Sequence, residues 1–294
     1  MSWEDTFASW AKAPGQTEQD KCDNAERAIA KAVASSSRLQ EHGAAVYTQG
    51  SYRNRTNVRL ESDVDIGILC RETFFYDLPT GANVNDFGIS TPPFYLYAQY
   101  KNDVEQGLVD YLGRTVVVRG NKAFDVHENT YRIDADVVTC FPYRWYQPNG
   151  SHIEGRAFLT DAGTRIVNYP EQNYQNGVAK NDRTNRGFKA TVRILKSLRH
   201  RMVDEGNTAA KAIPPYLLEC LAWNVPDEAL MHTFHTADVR YVLAHTFNHT
   251  RKIDECLNWC EINDIKYLFR EGQPWTLDAA HRLIAEAWAY VGFE

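Results

Sequence analysis

The feature that most constrains this chain is a pair of aspartates, Asp63 and Asp65, at the start of the apolar run "SDVDIGILC". The run alternates polar and apolar residues and then turns wholly apolar, as a strand does on entering a core. Residues i and i+2 of a strand share a face, so both carboxylates project together. Two bare carboxylates about 4 Å apart repel by roughly 4 kcal/mol at an effective dielectric near 20. Their neighbours Val64, Ile66, Ile68 and Leu69 are apolar, which makes solvation a poor remedy. The pair therefore calls for a cation between the two groups, or a proton on one of them. Mg²⁺ suits it, being a hard ion that uses one or two carboxylates together with substrate phosphates. A pair of such ions can clamp the attacking and leaving oxygens of phosphoryl transfer.

Two further elements sharpen that reading. Gly50 and Ser51 close the strand-like run "AAVYTQGS", and Ser51 lies 12 residues before Asp63. A glycine there allows close backbone approach to a phosphate, and the serine adds a hydroxyl and an amide donor. A third carboxylate is expected on a neighbouring strand, and "RIDADVVTCF" offers Asp134 and Asp136. Alternation puts both on one face, so parity does not choose between them. Asp136 stands deeper, directly before the apolar "VVTCF", and is the preferred ligand.

The chain divides by pattern near Pro170. Its first part mixes helix and strand. An amphipathic helix runs around "EQDKCDNAERAIAKAVASS", with Ala28, Ile29, Ala32 and Val33 on one face. A second helix is expected over "PPFYLYAQYKNDVEQGLVDYLG", strands over "TVVVRG" and "TYRIDADVVTCF", and a hairpin between Asn149 and Pro170. The later part reads as helices: "FKATVRILKSLRHRM", "PPYLLECLAW", "ADVRYVLAHTFNHT" and "LDAAHRLIAEAWAYV", the last with Thr276 and Asp278 as candidate caps. The expected organisation is an α/β part over residues 1–170 and a helical part over residues 171–294, with an active site at their seam.

Charge and cysteine content limit the function classes. A net charge of −6 disfavours a protein that coats nucleic acid by bulk charge. The six cysteines form no CxxC pair and mostly lie in apolar runs, which suits free thiols in a reducing compartment. The opening "MSWEDTFASWAKAPGQ" lacks the apolar core of a signal peptide, and no run approaches the roughly 20 apolar residues of a membrane span. A cytoplasmic protein is expected. Lys189, Arg193 and Lys196 fall at helical spacing as one cationic stripe, which is either a solvated face or a phosphate-facing one. Glu219 could pair with it. Tyr216, opening an apolar helix, reads by default as a core residue. His245, His249, Cys256 and Cys260 offer zinc-ligand types, but on one continuous helix the two pairs would stand about 10 Å apart, too far for one ion, and only a break between Thr250 and Asp254 could fold them together.

The Gly50-Ser51, Asp63-x-Asp65 and Asp136 pattern resembles the polymerase-β nucleotidyltransferase superfamily. The helical tract "FKATVRILKSLRH…PPYLLECLAWNVP" narrows the likeness to cGAS/DncV-like nucleotidyltransferases, the bacterial signalling synthases of CBASS antiphage defence. The resemblance implies an α+β fold: a mixed sheet with flanking helices, plus a helical C-terminal half. It implies metal binding and catalysis by Asp63, Asp65 and Asp136, with Asp136 also activating the attacking hydroxyl. Gly50, Ser51 and Lys196 would bind triphosphate, Tyr216 would stack on a base, and Asn168 would read a base edge, as an asparagine in this region selects uracil in some relatives. Pro215 stands where the family often has serine, so one hydroxyl contact to phosphate is missing. The implied reaction joins nucleoside triphosphates, on two Mg²⁺ ions with Mn²⁺ able to substitute, into a cyclic di- or trinucleotide that acts on a separate effector. No template and no membrane are implied. The rival readings are transfer to an RNA end or small acceptor, and an inactive nucleotide-binding relative.

Overall fold

The computed structural model describes residues 2–58, 63–89 and 95–294. Two compact units emerge, each with its own core.

The α/β unit comprises Gly15–Arg53 and the chain from Asp63 to Pro170. Its strands are β1 (Ala45–Thr48), β2 (Val64–Leu69), β3 (Phe75–Asp77), β4 (Val117–Arg119), β5 (Phe124–Val126), β6 (Ala135–Tyr146), β7 (His152–Leu159) and β8 (Arg165–Asn168). The main path runs β1-β2-β6-β5-β4. β2 pairs with β6 in parallel, and the β1–β2, β6–β5 and β5–β4 pairs are antiparallel, so the sheet is mixed. β6 is long enough to serve two sets of partners: its first half meets β2 and β5, its second half β3 and β7. The expected hairpin is β7–β8, turned at Gly163 with φ of +82°.

Helices α2 (Gln16–Ser35) and α5 (Tyr97–Leu112) pack in this unit, with α3 (Ser37–Glu41) and α4 (Gly50–Asn54) as short turns, following α1 (Trp3–Trp10) in the chain. The buried face of α2 is Cys22, Ala25, Ile29, Ala32 and Val33; Ala28 is only half-buried, because the packed stripe runs through Ala25 instead. Residues 92–94 of the expected second helix lie outside the described residues, and α5 itself begins at Tyr97. Ile29, Ile66, Ile68, Tyr100, Phe124 and Val137 form the centre of this core, all at 1% exposure or less.

The helical unit holds α6 (Pro170–Arg183), α7 (Gly187–Asp204), α8 (Thr208–Ala212), α9 (Pro215–Trp223), α10 (His235–His249), α11 (Ile253–Cys256) and α12 (Leu277–Val291). The unit takes the chain from Glu171 to Glu294, together with residues up to Pro14 and a segment beginning at Asn54. The cause for α1 is visible: Phe7 is fully buried among the helical-core residues. Glu4 moreover accepts hydrogen bonds from the His235 and Thr236 amides at 2.9 and 2.8 Å, capping the start of α10. Thr276 caps α12 as its sequence suggests, accepting from the Ala279 amide at 3.2 Å. All six cysteines are free thiols, five of them buried. No helix among the described residues is long and apolar enough to cross a membrane.

Candidate active site

Strand register separates the two aspartates that alternation left alike. Asp65 on β2 stands directly beside Asp136 on β6, and Asp136 stands opposite Asp125 on β5. Paired residues on adjacent strands share a face, so three carboxylates form a row across the sheet. Asp63 precedes the row at the mouth of β2 and is exposed. Burial, reinforced by the charges of Asp63 and Asp125, pushes the Asp136 carboxyl above the usual carboxylate range. Asp134, the alternative ligand, is engaged elsewhere. It accepts the Glu128 amide hydrogen at 2.7 Å and lies 3.8 Å from His127, while its carbonyl receives the Val64 amide.

Gly50 and Ser51 begin α4, directly after β1, and the Gln49 amide donates to the Asp65 carbonyl at 3.0 Å. Gly50 has φ of +64°, and a Cβ added there would sit 1.8 Å from Asp65 Oδ2. No other residue type fits that position without moving the aspartate. The Gly-Ser turn thus lies directly against the aspartate strand.

Asp125 went unread in the sequence. β5 spans three residues, too few to show a period; the only signal was a single acid between Phe124 and Val126. Its carboxyl is hydrogen-bonded to that of Asp136. Ser62 of the "SDVDI" motif lies outside the described residues.

In the helical unit the cationic stripe is a buried one. Lys189 lies 5.9 Å from the Tyr174 ring centroid. Arg193 donates to the Ala11 and Arg55 carbonyls at 2.8 and 2.7 Å, and burial lowers its guanidinium to about 10. Lys196 pairs with Glu219 at 2.6 Å, with the two side chains 2% and 3% exposed. The solvated-face reading of this stripe is therefore wrong, because partners distant in sequence cover it, and Glu219 pairs with it as expected. Tyr216 is half-buried, its hydroxyl 3.0 Å from the Asn173 amide nitrogen and 3.1 Å from the Glu261 carboxylate. Asn168, the last residue of β8, is exposed, and its side-chain amide has no hydrogen-bond partner among the described residues.

The chain does break between His249 and Ile253, yet His245 and His249 stack on each other at 4.0 Å and on Trp259 at 6.0 and 5.8 Å. The Cys256 thiol instead donates to the Lys252 carbonyl at 3.7 Å and the Cys260 thiol to that of Asn258 at 3.5 Å.

Among the described residues no three His, Cys, Asp or Glu side chains are gathered closely enough to hold an ion unaided. The aspartates nonetheless fit a divalent cation on chemical grounds. They are all oxygen donors, with Asp65 and Asp136 side by side and half-buried and the Asp136 carboxyl held above the usual carboxylate range. An ion such as Mg²⁺ takes only one or two carboxylates and fills its shell with water and phosphate oxygens, so a row completed by substrate suffices.

A mixed sheet with paired aspartates against a glycine turn, joined in sequence to an all-helical half, defines a nucleotidyltransferase. The cGAS/DncV-like nucleotidyltransferase C-terminal helical domain matches residues 175–292. The chain is 39% identical to a cyclic dipyrimidine nucleotide synthase of Cecembia lonarensis, over 99% of this chain and 98% of that one. It is 41% identical to a cyclic dipyrimidine nucleotide synthase of Legionella pneumophila, again over 99% and 98%. The solved structure of a Rhodothermus marinus c-UMP-AMP synthase with Apcpp and Upnpp superimposes with a TM-score of 0.86 at 30% identity, covering 99% of this chain and 97% of that one. The chain belongs to the cGAS/DncV-like nucleotidyltransferases. It is an enzyme of nucleotidyl transfer that works with a divalent metal.

Proposed function

We propose that this enzyme condenses two pyrimidine nucleoside triphosphates into a cyclic dinucleotide that signals to a separate effector in antiphage defence. The observation that carries the reading is the register of Asp65 beside Asp136, with Gly50 closed against Asp65. The choice of pyrimidines is supported by the two full-length relatives named for dipyrimidine products.

Each transfer forms a bond from a ribose hydroxyl oxygen to an α-phosphorus and breaks the bond from that phosphorus to pyrophosphate. The hydroxyl must lose its proton as it attacks. Asp136 would take it, a role supported by the burial that raises its carboxyl above the usual carboxylate range. Asp63, Asp65 and Asp136 would hold two Mg²⁺ ions, or Mn²⁺ in their place, and these when bound stabilise the charge gathering on the phosphate oxygens. Gly50 lets the triphosphate approach the backbone, Ser51 donates to it, and Lys196 supplies a fixed positive charge. Tyr216, its hydroxyl held by Asn173 and Glu261, would present a ring that cannot turn away from a stacked base. Asn168, exposed at the end of β8, would read the base edge. The free buried thiols agree with a reducing cytoplasm.

Incubating the pure protein with labelled nucleoside triphosphates and Mg²⁺, then phosphatase, then mass spectrometry, tests the reading. The expected product is a phosphatase-resistant cyclic dipyrimidine formed without template. Phosphatase-sensitive linear oligomers alone, or strict dependence on an added RNA or small acceptor, would overturn it.

A further inference from the structure

The most deeply buried ion pair described in the helical unit joins Lys196 on α7 to Glu219 on α9. Glu219 uses both oxygens: Oε1 lies 2.6 Å from the Lys196 ammonium, and Oε2 accepts from the Thr56 hydroxyl at 3.0 Å. Folding alone gives little reason for this arrangement. Removing two charges from water costs as much as their attraction returns, and an apolar pair of similar volume serves stability as well or better. What the pair does secure is a lysine that stays charged and in one place at a depth where an unpartnered amine would shed its proton. A lysine stem has many rotamers, and a carboxylate itself tethered by Thr56 removes most of them.

We propose that Glu219 is the positioning residue for the phosphate-binding lysine. One oxygen fixes the Lys196 ammonium, and the other, anchored by Thr56, keeps the carboxylate from following the lysine when a triphosphate arrives. The inference rests on Lys196 meeting the triphosphate, and its test separates the two claims.

Binding of a non-hydrolysable nucleoside triphosphate analogue is compared with binding of the matching nucleoside, in folded variants checked by thermal melting. Lys196→Ala tests the underlying reading: unchanged triphosphate affinity removes it, and the positioning role with it. Given a loss there, Glu219→Gln should weaken triphosphate binding by about tenfold or more, the scale of one charge-assisted contact, with nucleoside binding little changed. Glu219→Asp should recover part of that loss. In a Lys196→Ala background, Glu219→Gln should cost nothing further, because both act through one contact. Parent-like triphosphate affinity in a folded Glu219→Gln protein, or additive losses in the double variant, overturns the proposal. Should Glu219→Gln not fold, Thr56→Val carries the test, since it frees the carboxylate without removing the charge. It is expected to weaken triphosphate binding severalfold, and parent-like affinity there overturns the proposal equally.

Discussion

Replacing Asp136 by asparagine should abolish nucleotide incorporation while making the metal-free protein more stable. Neighbouring strands stand about 4.8 Å apart, so charges on Asp65 and Asp136 about 5 Å apart repel by about 3 kcal/mol at an effective dielectric near 20. Relaxation and partial solvent access leave roughly half of that, about 1–2 kcal/mol, which is about 2–8 °C in melting temperature for a protein of this size. An asparagine amide can still donate to Asp125, so the bond between those two side chains survives. The pH dependence has a definite sign. Asp136 titrates above its unfolded value, so the folded state holds the proton more tightly than the unfolded one. The parent therefore loses stability as pH rises through that raised range and regains it on acidification. The asparagine variant should thus melt higher than the parent in EDTA at about pH 8, with the gap closing on acidification as the parent carboxyl takes up its proton. Mg²⁺ with nucleotide should stabilise the parent and leave the variant nearly unmoved. An equal or lower melting temperature in EDTA at the higher pH, or near-parent turnover at saturating metal, refutes the assignment.

Three other outcomes follow from the same geometry. Asp134→Asn should keep most of its turnover and lose about 1 kcal/mol of stability, because it trades a charged acceptor of the Glu128 amide for a neutral one; an inactive, stable variant would make Asp134 the ligand. Gly50→Ala should be inactive although folded, since its Cβ would stand 1.8 Å from Asp65 Oδ2 at a φ of +64°; full incorporation by this variant would show that Asp65 moves without consequence. Asn168→Ala should relax the choice of base in a mixture of the four triphosphates without abolishing turnover, and an unchanged product mixture would take Asn168 out of base recognition.

What could be read in advance follows the range of the physics involved. Alternation over "SDVDIGILC" gives the shared face of Asp63 and Asp65, because side-chain direction in a strand is local. The choice between Asp134 and Asp136 is not local. What bears on it is the register of β2 against β6, which brings Asp136 level with Asp65, while Asp134 accepts from the Glu128 amide. Strands β3 and β5, three residues each, carry too little pattern to be seen, and Asp125 was missed with β5. The spacing of Lys189, Arg193 and Lys196 correctly gave one helix face. It could not name what covers that face, since the Ala11 and Arg55 carbonyls and Glu219 come from distant parts of the chain. The home of the helix at Trp3–Trp10 was not legible, because it depends on Phe7 and Glu4 finding the helical core and the start of α10.

The strain in the acidic row and the selection of its substrate have one origin. A triphosphate carries several negative charges, and so does the surface formed by Asp63, Asp65, Asp125 and Asp136; brought together without cations they repel at every distance. Against that row, binding such a ligand would require making cations part of the binding reaction. Carboxylates held at strand spacing do this without dedicated closure, since a hard divalent ion needs only one or two of them and completes its shell with the phosphate oxygens. Metal and nucleotide should therefore bind with strong positive coupling, each raising the affinity for the other by the same factor. A cage that held the ions tightly by itself would lose that coupling, and with it the dependence on a phosphate-bearing partner. On the proposed assignment the open row of β2, β6 and β5 would admit the ion chiefly with its nucleotide, which suits an enzyme whose charge of −6 gives it no general attraction for anions.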